Sequence, residues 1–294
     1  MMRIAIAGAS GLLGTAAANH LVAEGHSVVR LVRREAGRPD ERRWEPSEGR
    51  IDGPGLSDVD ATLNFAGSGI ADARWSEPRK EELRHSRIST TITLVHHLVP
   101  DGRCQRFLSA SAIGFYGDTG PAVVDEQSPA GVGFLARLVV DWERAAAHSP
   151  VPVVHLRTGH VLAAEGGFLG KQLLAYKLGL GGRIGSGRQF LSWIHVADYV
   201  RALAFLLESE LTGPVNLVGP HPVTNARMTE ALADRVRRPA LIPTPLTALR
   251  ALFGREMVAD ALLSGQRVAP ARLMGAGFDF HHPDLDEALA SLPL

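Results

Sequence analysis

Residues Arg3 to Ala7, "RIAIA", form a short apolar run of strand length, and the glycine-rich turn "GASGLLG" follows at once. The next stretch, "LLGTAAANHLVAEG", has the pattern of a helix and closes at Gly25. A second strand-like run, "SVVRLVRR", comes after it. Further runs lie at "DATLNFAG" (Asp60 to Gly67), "QRFLSASA" (Gln105 to Ala112) and "VPVVHLRTG" (Val151 to Gly159). Helical patterns fill the intervals, above all "EPRKEELRHSRISTTITLVHHLV". Strand and helix in alternation predict a doubly wound parallel sheet that meets its ligands at the carboxyl ends of the strands.

The first turn carries glycines at Gly8, Gly11 and Gly14, a G-x-x-G-x-x-G spacing. The first permits a tight turn, the second lets backbone approach a pyrophosphate, and the third lets the helix pack on the strand. The helix start adds unpaired N–H groups and a partial positive charge. Between a strand and a helix, this pattern predicts a Rossmann-type dinucleotide site. An NAD site usually closes the second strand with Asp or Glu on the ribose 2′-hydroxyl. Here that strand ends in Arg33-Arg34, with Arg30 upstream, and guanidinium groups suit a 2′-phosphate. The expected cofactor is NADP(H).

After about residue 158 the pattern becomes glycine-punctuated and then helical, and from Pro239 prolines and short helices multiply. The reading is a Rossmann domain over residues 1–158, with later segments returning to its sheet. A smaller α/β substrate lobe spans 159–294, and its last part, 239–294, reads as a compact cover over the cofactor cleft.

Composition narrows the partners. The 294 residues are 45% hydrophobic and 21% charged, ordinary for a globular protein. Thirty-one basic residues balance 31 acidic ones, so no basic field exists for nucleic acid or an anionic membrane. The lone Cys104 excludes an internal disulfide and suits a reducing compartment. No apolar run has the roughly 20 residues that span a bilayer, and "MMRIAIAGASGLLG" does not read as a secretory signal. A cytoplasmic protein is expected, with a small-molecule substrate between its lobes; a homodimer is compatible with this. Twelve histidines are scattered without metal-ligand spacing, and no G-x-S-x-G elbow occurs.

Stretches along nearly the whole chain resemble the extended short-chain dehydrogenase/reductases, the superfamily of sugar-nucleotide epimerases and dehydratases. They are "NFAGSGIADARW", "KEELRHSRISTT", "SASAIGFYGD", "DWERAA", "LRTGHVLAAEGG", "GLGGRIGSGRQFLSWIHVADYV", "GPVNLVGPHPVTN" and "LLSGQRVAPARLMGAGFDF". More narrowly they resemble its atypical "epimerase family" branch. The resemblance implies that Ser10, Leu12 and Leu13 join the glycines at the pyrophosphate. It puts Val32 and Arg33 beside the adenosine ribose, and Phe65, Ala66 and Gly67 toward the nicotinamide side. Glu82 and Arg87 would face the cofactor, Arg157 would end the strand next to the nicotinamide, and Ser109 and Ser111 keep the superfamily's serine strand.

One part of the pattern is missing. The superfamily's chemistry uses a tyrosine to move a proton and a lysine four residues on that lowers its pKa. Anchored on "DWE", those positions are Leu135 and Val139. The three tyrosines, Tyr116, Tyr176 and Tyr199, are followed four residues on by Gly120, Leu180 and Leu203, so no Y-x-x-x-K pair exists. Candidates for the missing work are Ser111, Tyr116 at the cleft edge, and His160, where the branch usually has an aliphatic residue. His195 reads as structural, and Lys171 is a weaker candidate. Three functions stay open: an NADP(H)-dependent oxidoreductase or epimerase-like enzyme, a regulatory protein that senses NADP(H), and a non-redox cyclase or isomerase. The loop Gly179 to Gln189, with two arginines, is expected to meet a polar or anionic substrate.

Overall fold

A computed structural model describes the backbone of all 294 residues and every side chain but that of Lys171, which lies outside the described residues. The main sheet contains β1 (Arg3–Ala7), β2 (Ser27–Val32), β3 (Glu41–Glu45), β4 (Arg50–Ile51), β5 (Ala61–Asn64), β6 (Arg106–Ala112), β7 (Val153–Thr158) and β8 (Gly213–Leu217). Their spatial order is β8-β7-β6-β5-β1-β2-β3-β4. Every pairing is parallel except β3 with β4. The order reverses at β1, which has β2 on one side and β5 on the other, and such a switch point is where this fold opens a ligand crevice.

Four helices cover the two faces, α1 (Leu12–Ala23), α2 (Glu77–His97), α3 (Phe134–Ala147) and α5 (Val196–Glu208), while α4 (Gly167–Lys177) lies beyond the sheet. The pleat explains the continuous apolar runs. Ile4, Ile6, Leu108 and Leu156 face Ala17, Leu21, Tyr199 and Leu203 of α1 and α5. Ala5, Ala7 and Phe107 face Leu94, Val95 and Ala146 of α2 and α3. Both faces of the central strands β1 and β5 are therefore buried, and polar alternation is lost there.

Residues beyond 158 both complete this domain and form the second lobe. Strand β8 closes one edge of the sheet beside β7. The lobe itself is built on α4, α6 (Asn225–Val236) and the last helix, Leu285–Ser291, around Tyr176, Trp193, Met228 and Leu289. A segment comprising α7 (Leu246–Phe253) and the π-helical turn Val258–Leu263 returns to the Rossmann domain. There Trp75 N donates to Phe253 O, and Lys80 pairs with Glu256 at 2.9 Å. Among the described residues no helix is long and apolar enough to cross a membrane.

Candidate cofactor groove and active site

A cavity of about 350 Å³ opens at the switch point, between the glycine turn and the segment that follows β7. Gly8, Gly11, Leu12, Leu13, Gly14 and Phe65 line one wall, and Thr158, Gly159, His160, Val161, Gly167 and Phe168 the other. The turn tolerates no side chains at two positions. A Cβ on Gly8, whose φ is +74°, would stand 2.7 Å from the Phe65 carbonyl carbon, and one on Gly14 would stand 2.2 Å from Gly8 O. Helix α1 starts at Gly11 with no side chain capping it and no acidic residue in its first turn. Its first N–H groups face the groove unneutralised, as an anion site requires. Ser10 is exposed and lies outside the groove lining.

The arginines after β2 are not equivalent. Arg34 grips Glu41 with two bonds, of 2.8 and 2.5 Å, and holds that carboxyl at about 2. Arg30 pairs with Asp40. Arg33 is exposed beside half-buried Val32 and makes no hydrogen bond or ion pair with any described residue. Of the three, it is the guanidinium that no acidic side chain among the described residues engages.

Beyond β5, Phe65 joins the groove wall, and Ala66 N donates to Asn64 Oδ1 at 3.1 Å. Gly67 has Arg87 against it, and a Cβ there would meet the Arg87 side chain at 3.3 Å. Arg87 is buried without a carboxylate. It donates to Leu83 O at 3.1 Å and Ser68 O at 3.0 Å, and stacks 5.3 Å over the Trp142 ring. Burial, aided by the charge of Arg79, pulls its pKa down to about 10. Glu82 is exposed, pairs with Arg79 at 2.6 Å and accepts from Ser68 Oγ at 3.0 Å.

The serine strand turns inward. Ser109 and Ser111 point from β6 toward α3 and are buried, whereas Ala110 and Ala112 are half-buried on the other face. Ser111 Oγ donates to Glu143 Oε1 at 2.6 Å. Arg157 grips the same carboxylate through Nε at 2.8 Å and Nη2 at 2.9 Å. Its Nη1 donates to Tyr116 Oη at 3.0 Å, and Tyr116 donates in turn to Asn216 Oδ1 at 2.7 Å. The Phe115 ring lies 3.5 Å under the guanidinium. Burial works against the Arg157 charge, but the bonds to Glu143 outweigh it and hold its pKa above the ordinary value. Burial pushes the Tyr116 phenol up, against the pull of Arg157. Among the described residues, Ser109 Oγ has no partner.

The positions expected of the dyad are apolar in space as well as in sequence. Val139 is buried and Leu135 half-buried, and both pack toward Gly114, just past β6. His160 stands on the opposite side of the nucleotide groove, half-buried and stacked on Phe168 at 4.6 Å. Its ring nitrogens bond to no described residue, and burial lowers its pKa to about 4, so it is neutral near pH 7. His195 caps α5 by accepting from Ala197 N at 3.1 Å.

Residue patterns alone did not single out Glu143 as the hub of the network, Asn216 as its end, or Gly167 and Phe168 as groove wall. The signal for the last was present in "AEGG": Gly166 and Gly167 have φ of +70° and +59°, and a Cβ on Gly167 would collide with Leu12 Cδ2 at 2.7 Å. Glu143 gave no local signal, because its partners lie on two strands.

A model of the NAD dependent epimerase/dehydratase family matches residues 4–219, and one of a domain of unknown function (DUF1731) matches residues 244–292. An epimerase family protein of Mycobacterium bovis is 48% identical over 290 residues, covering 97% of this chain and 96% of its own length. The crystal structure of human epimerase family protein SDR39U1 with NADPH is similar at a TM-score of 0.91, with 34% identity over 99% of both chains. That of a nucleoside-diphosphate sugar epimerase from Corynebacterium glutamicum is similar at 0.80, with 32% identity, over 98% of this chain and 57% of that one.

Proposed function

The chain belongs to the NAD dependent epimerase/dehydratase family, and from that premise we propose that it holds NADP(H) over its glycine turn and acts on a small-molecule carbonyl or hydroxyl. It would do so as an oxidoreductase or epimerase-like enzyme without a tyrosine–lysine dyad. The observation that carries the reading is an uncapped helix N-terminus at the groove, with one unengaged arginine, Arg33, just past the end of β2, the strand that pairs with β1. The fit is physical: the glycines leave room for backbone N–H groups to reach a pyrophosphate, and Arg33 gives a 2′-phosphate a cation where an NAD site has a carboxylate. The human relative crystallised with NADPH supports the same choice. Bound there, the nicotinamide would supply hydride exchange.

Within this reading Phe65, Val161 and Phe168 exclude water from the groove. Buried Arg87, lacking a carboxylate, adds positive potential behind Gly67. Of the three catalytic candidates, His160 has a free imidazole on the groove and can accept or return a proton. Ser111 and Tyr116 would serve as positioning residues, since each already spends its hydroxyl on the Glu143–Arg157 pair.

Calorimetric titration with NADPH and NADH tests the cofactor, with NADPH expected to bind at least about tenfold more tightly, a margin of about 1.4 kcal/mol. Loss of nicotinamide absorbance across a panel of carbonyl compounds tests turnover. Absence of NADPH binding would sink the proposal. A second reading, a regulatory protein that senses NADP(H) without turnover, is favoured by the apolar Leu135 and Val139. It requires unequal affinities for NADPH and NADP⁺, and equal affinities would eliminate it.

A further inference from the structure

The oxidised and reduced forms of a nicotinamide cofactor carry the same phosphates and differ by one positive charge on the nicotinamide ring. Whatever the glycine turn and Arg33 contribute is common to both forms, so only groups on the nicotinamide side can tell them apart. With Arg33 past β2 on one side of the switch point, the nicotinamide half belongs on the other, past β5 and β6.

Most of the charge on that side is balanced. No aspartate or glutamate lines the groove, and His160 in its wall is neutral near pH 7. Glu143 is gripped twice by Arg157. Glu82 is held by Arg79 at 2.6 Å, and Asp72 lies against Gly69, further along the loop. Arg87 is the exception. Gly67 is exposed just past β5, and a Cβ on it would stand 3.5 Å from the guanidinium carbon of Arg87. Only glycine backbone therefore separates this buried cation from the surface. Its bonds go to the carbonyls of Leu83 and Ser68, and the charge that presses on it is a second cation, Arg79. Even so it stays protonated at pH 7, since burial and Arg79 lower its pKa only to about 10. A buried charge is poorly screened by solvent and salt, and its field reaches several ångströms.

We propose, on the reading that NADP(H) lies over the glycine turn, that Arg87 makes this site select the reduced cofactor, because its charge opposes the positive ring of NADP⁺. The standing complex then holds NADPH, the form that meets a carbonyl compound, whereas a hydroxyl substrate needs the weaker ligand. By linkage, each tenfold preference for the reduced form raises the potential of the bound two-electron couple by about 30 mV.

Calorimetric titration of the full chain with NADPH and with NADP⁺ tests this. NADPH should bind at least about tenfold more tightly, the scale of one unit charge across several ångströms of protein. Arg87→Gln removes the charge and should bring the two affinities to within about twofold, whereas Arg87→Lys keeps the charge and should keep most of the preference. A thermal midpoint that still rises with NADPH shows that a variant is folded. Equal affinities in the unaltered protein, or tighter NADP⁺, overturn the proposal, and this holds even if Arg87→Gln fails to fold. An unchanged ratio in a folded Arg87→Gln overturns it as well. If neither form binds, the cofactor reading itself fails and takes this selectivity with it.

Discussion

Ser111 and Glu143, 32 residues apart, are joined by a 2.6 Å hydrogen bond that ties strand β6 to helix α3. Arg157 completes the pair from β7 and is itself buried. The network is thus a buried ion pair with every arm used, and breaking such a pair from one side strands the other charge. Glu143→Gln should therefore destabilise the protein by about 3–5 kcal/mol. Ser111→Ala, which leaves the carboxylate to Arg157, should cost about 1–2 kcal/mol. Urea unfolding checks both. A Glu143→Gln loss no larger than that of Ser111→Ala would show that Arg157 does not depend on the carboxylate.

Arg33 and Arg34 are adjacent in sequence and opposite in circumstance. Arg34 is held by Glu41, whereas Arg33 is free. Arg33→Ala should weaken NADPH binding by about tenfold or more, the value of one charge-assisted contact, and leave NADH unchanged. Arg34→Ala should loosen the turn and alter the NADPH-to-NADH ratio far less. Equal losses for both nucleotides in the Arg33 variant would remove it from the 2′-phosphate.

The sheet, its parallel order and the nucleotide turn were legible because each rests on local pattern: apolar runs of strand length, glycine spacing, and a helix behind them. The family resemblance likewise placed Leu135 and Val139 where the dyad is missing, and the structure finds both packed toward Gly114. Other features were not legible, for a physical reason. "SASA" reads as two serines offered to a substrate, but the pleat turns Ser109 and Ser111 toward α3 and leaves Ala110 and Ala112 on the opposite face. "RR" reads as two equal cations until Glu41, seven residues past Arg34, claims one of them. The Asp260 cap on α3 joins residues 126 apart, and no window of sequence contains both.

Gly14→Ala separates the packing role of that glycine from cofactor chemistry. Its Cβ would lie 2.2 Å from Gly8 O and 2.8 Å from Ala9 Cα, both backbone atoms that cannot swing aside. The helix or the turn must shift, at a cost of about 1–3 kcal/mol for overpacking. The thermal midpoint should fall even without nucleotide, and NADPH affinity should fall further because the displaced turn no longer aims its N–H groups. Gly25→Ala is the control. A Cβ there meets nothing within 4 Å, although φ is +88°, so its loss should appear as modest strain with NADPH affinity intact.

Acid should weaken the fold through two histidines. Burial lowers the pKa of His160 and of His195 from 6.5 to about 4, and for His195 the neighbouring His282 pushes the same way. A base whose folded pKa lies below its unfolded value binds fewer protons in the native state. Its contribution to stability is therefore complete above about pH 6.5 and is lost as the pH falls toward 4. His195 has further reason to stay neutral, since its Nδ1 accepts from Ala197 N and its Nε2 meets Ser291 Oγ at 3.2 Å. Each histidine should account for on the order of 1–3 kcal/mol between those limits. Urea unfolding at pH 7 and pH 5 measures the drop. His160→Leu, which cannot take a proton, should shrink the difference between the two curves, and His195→Asn should shrink it while keeping an acceptor for the Ala197 N–H. An unchanged difference in both variants would show that other groups carry the acid sensitivity.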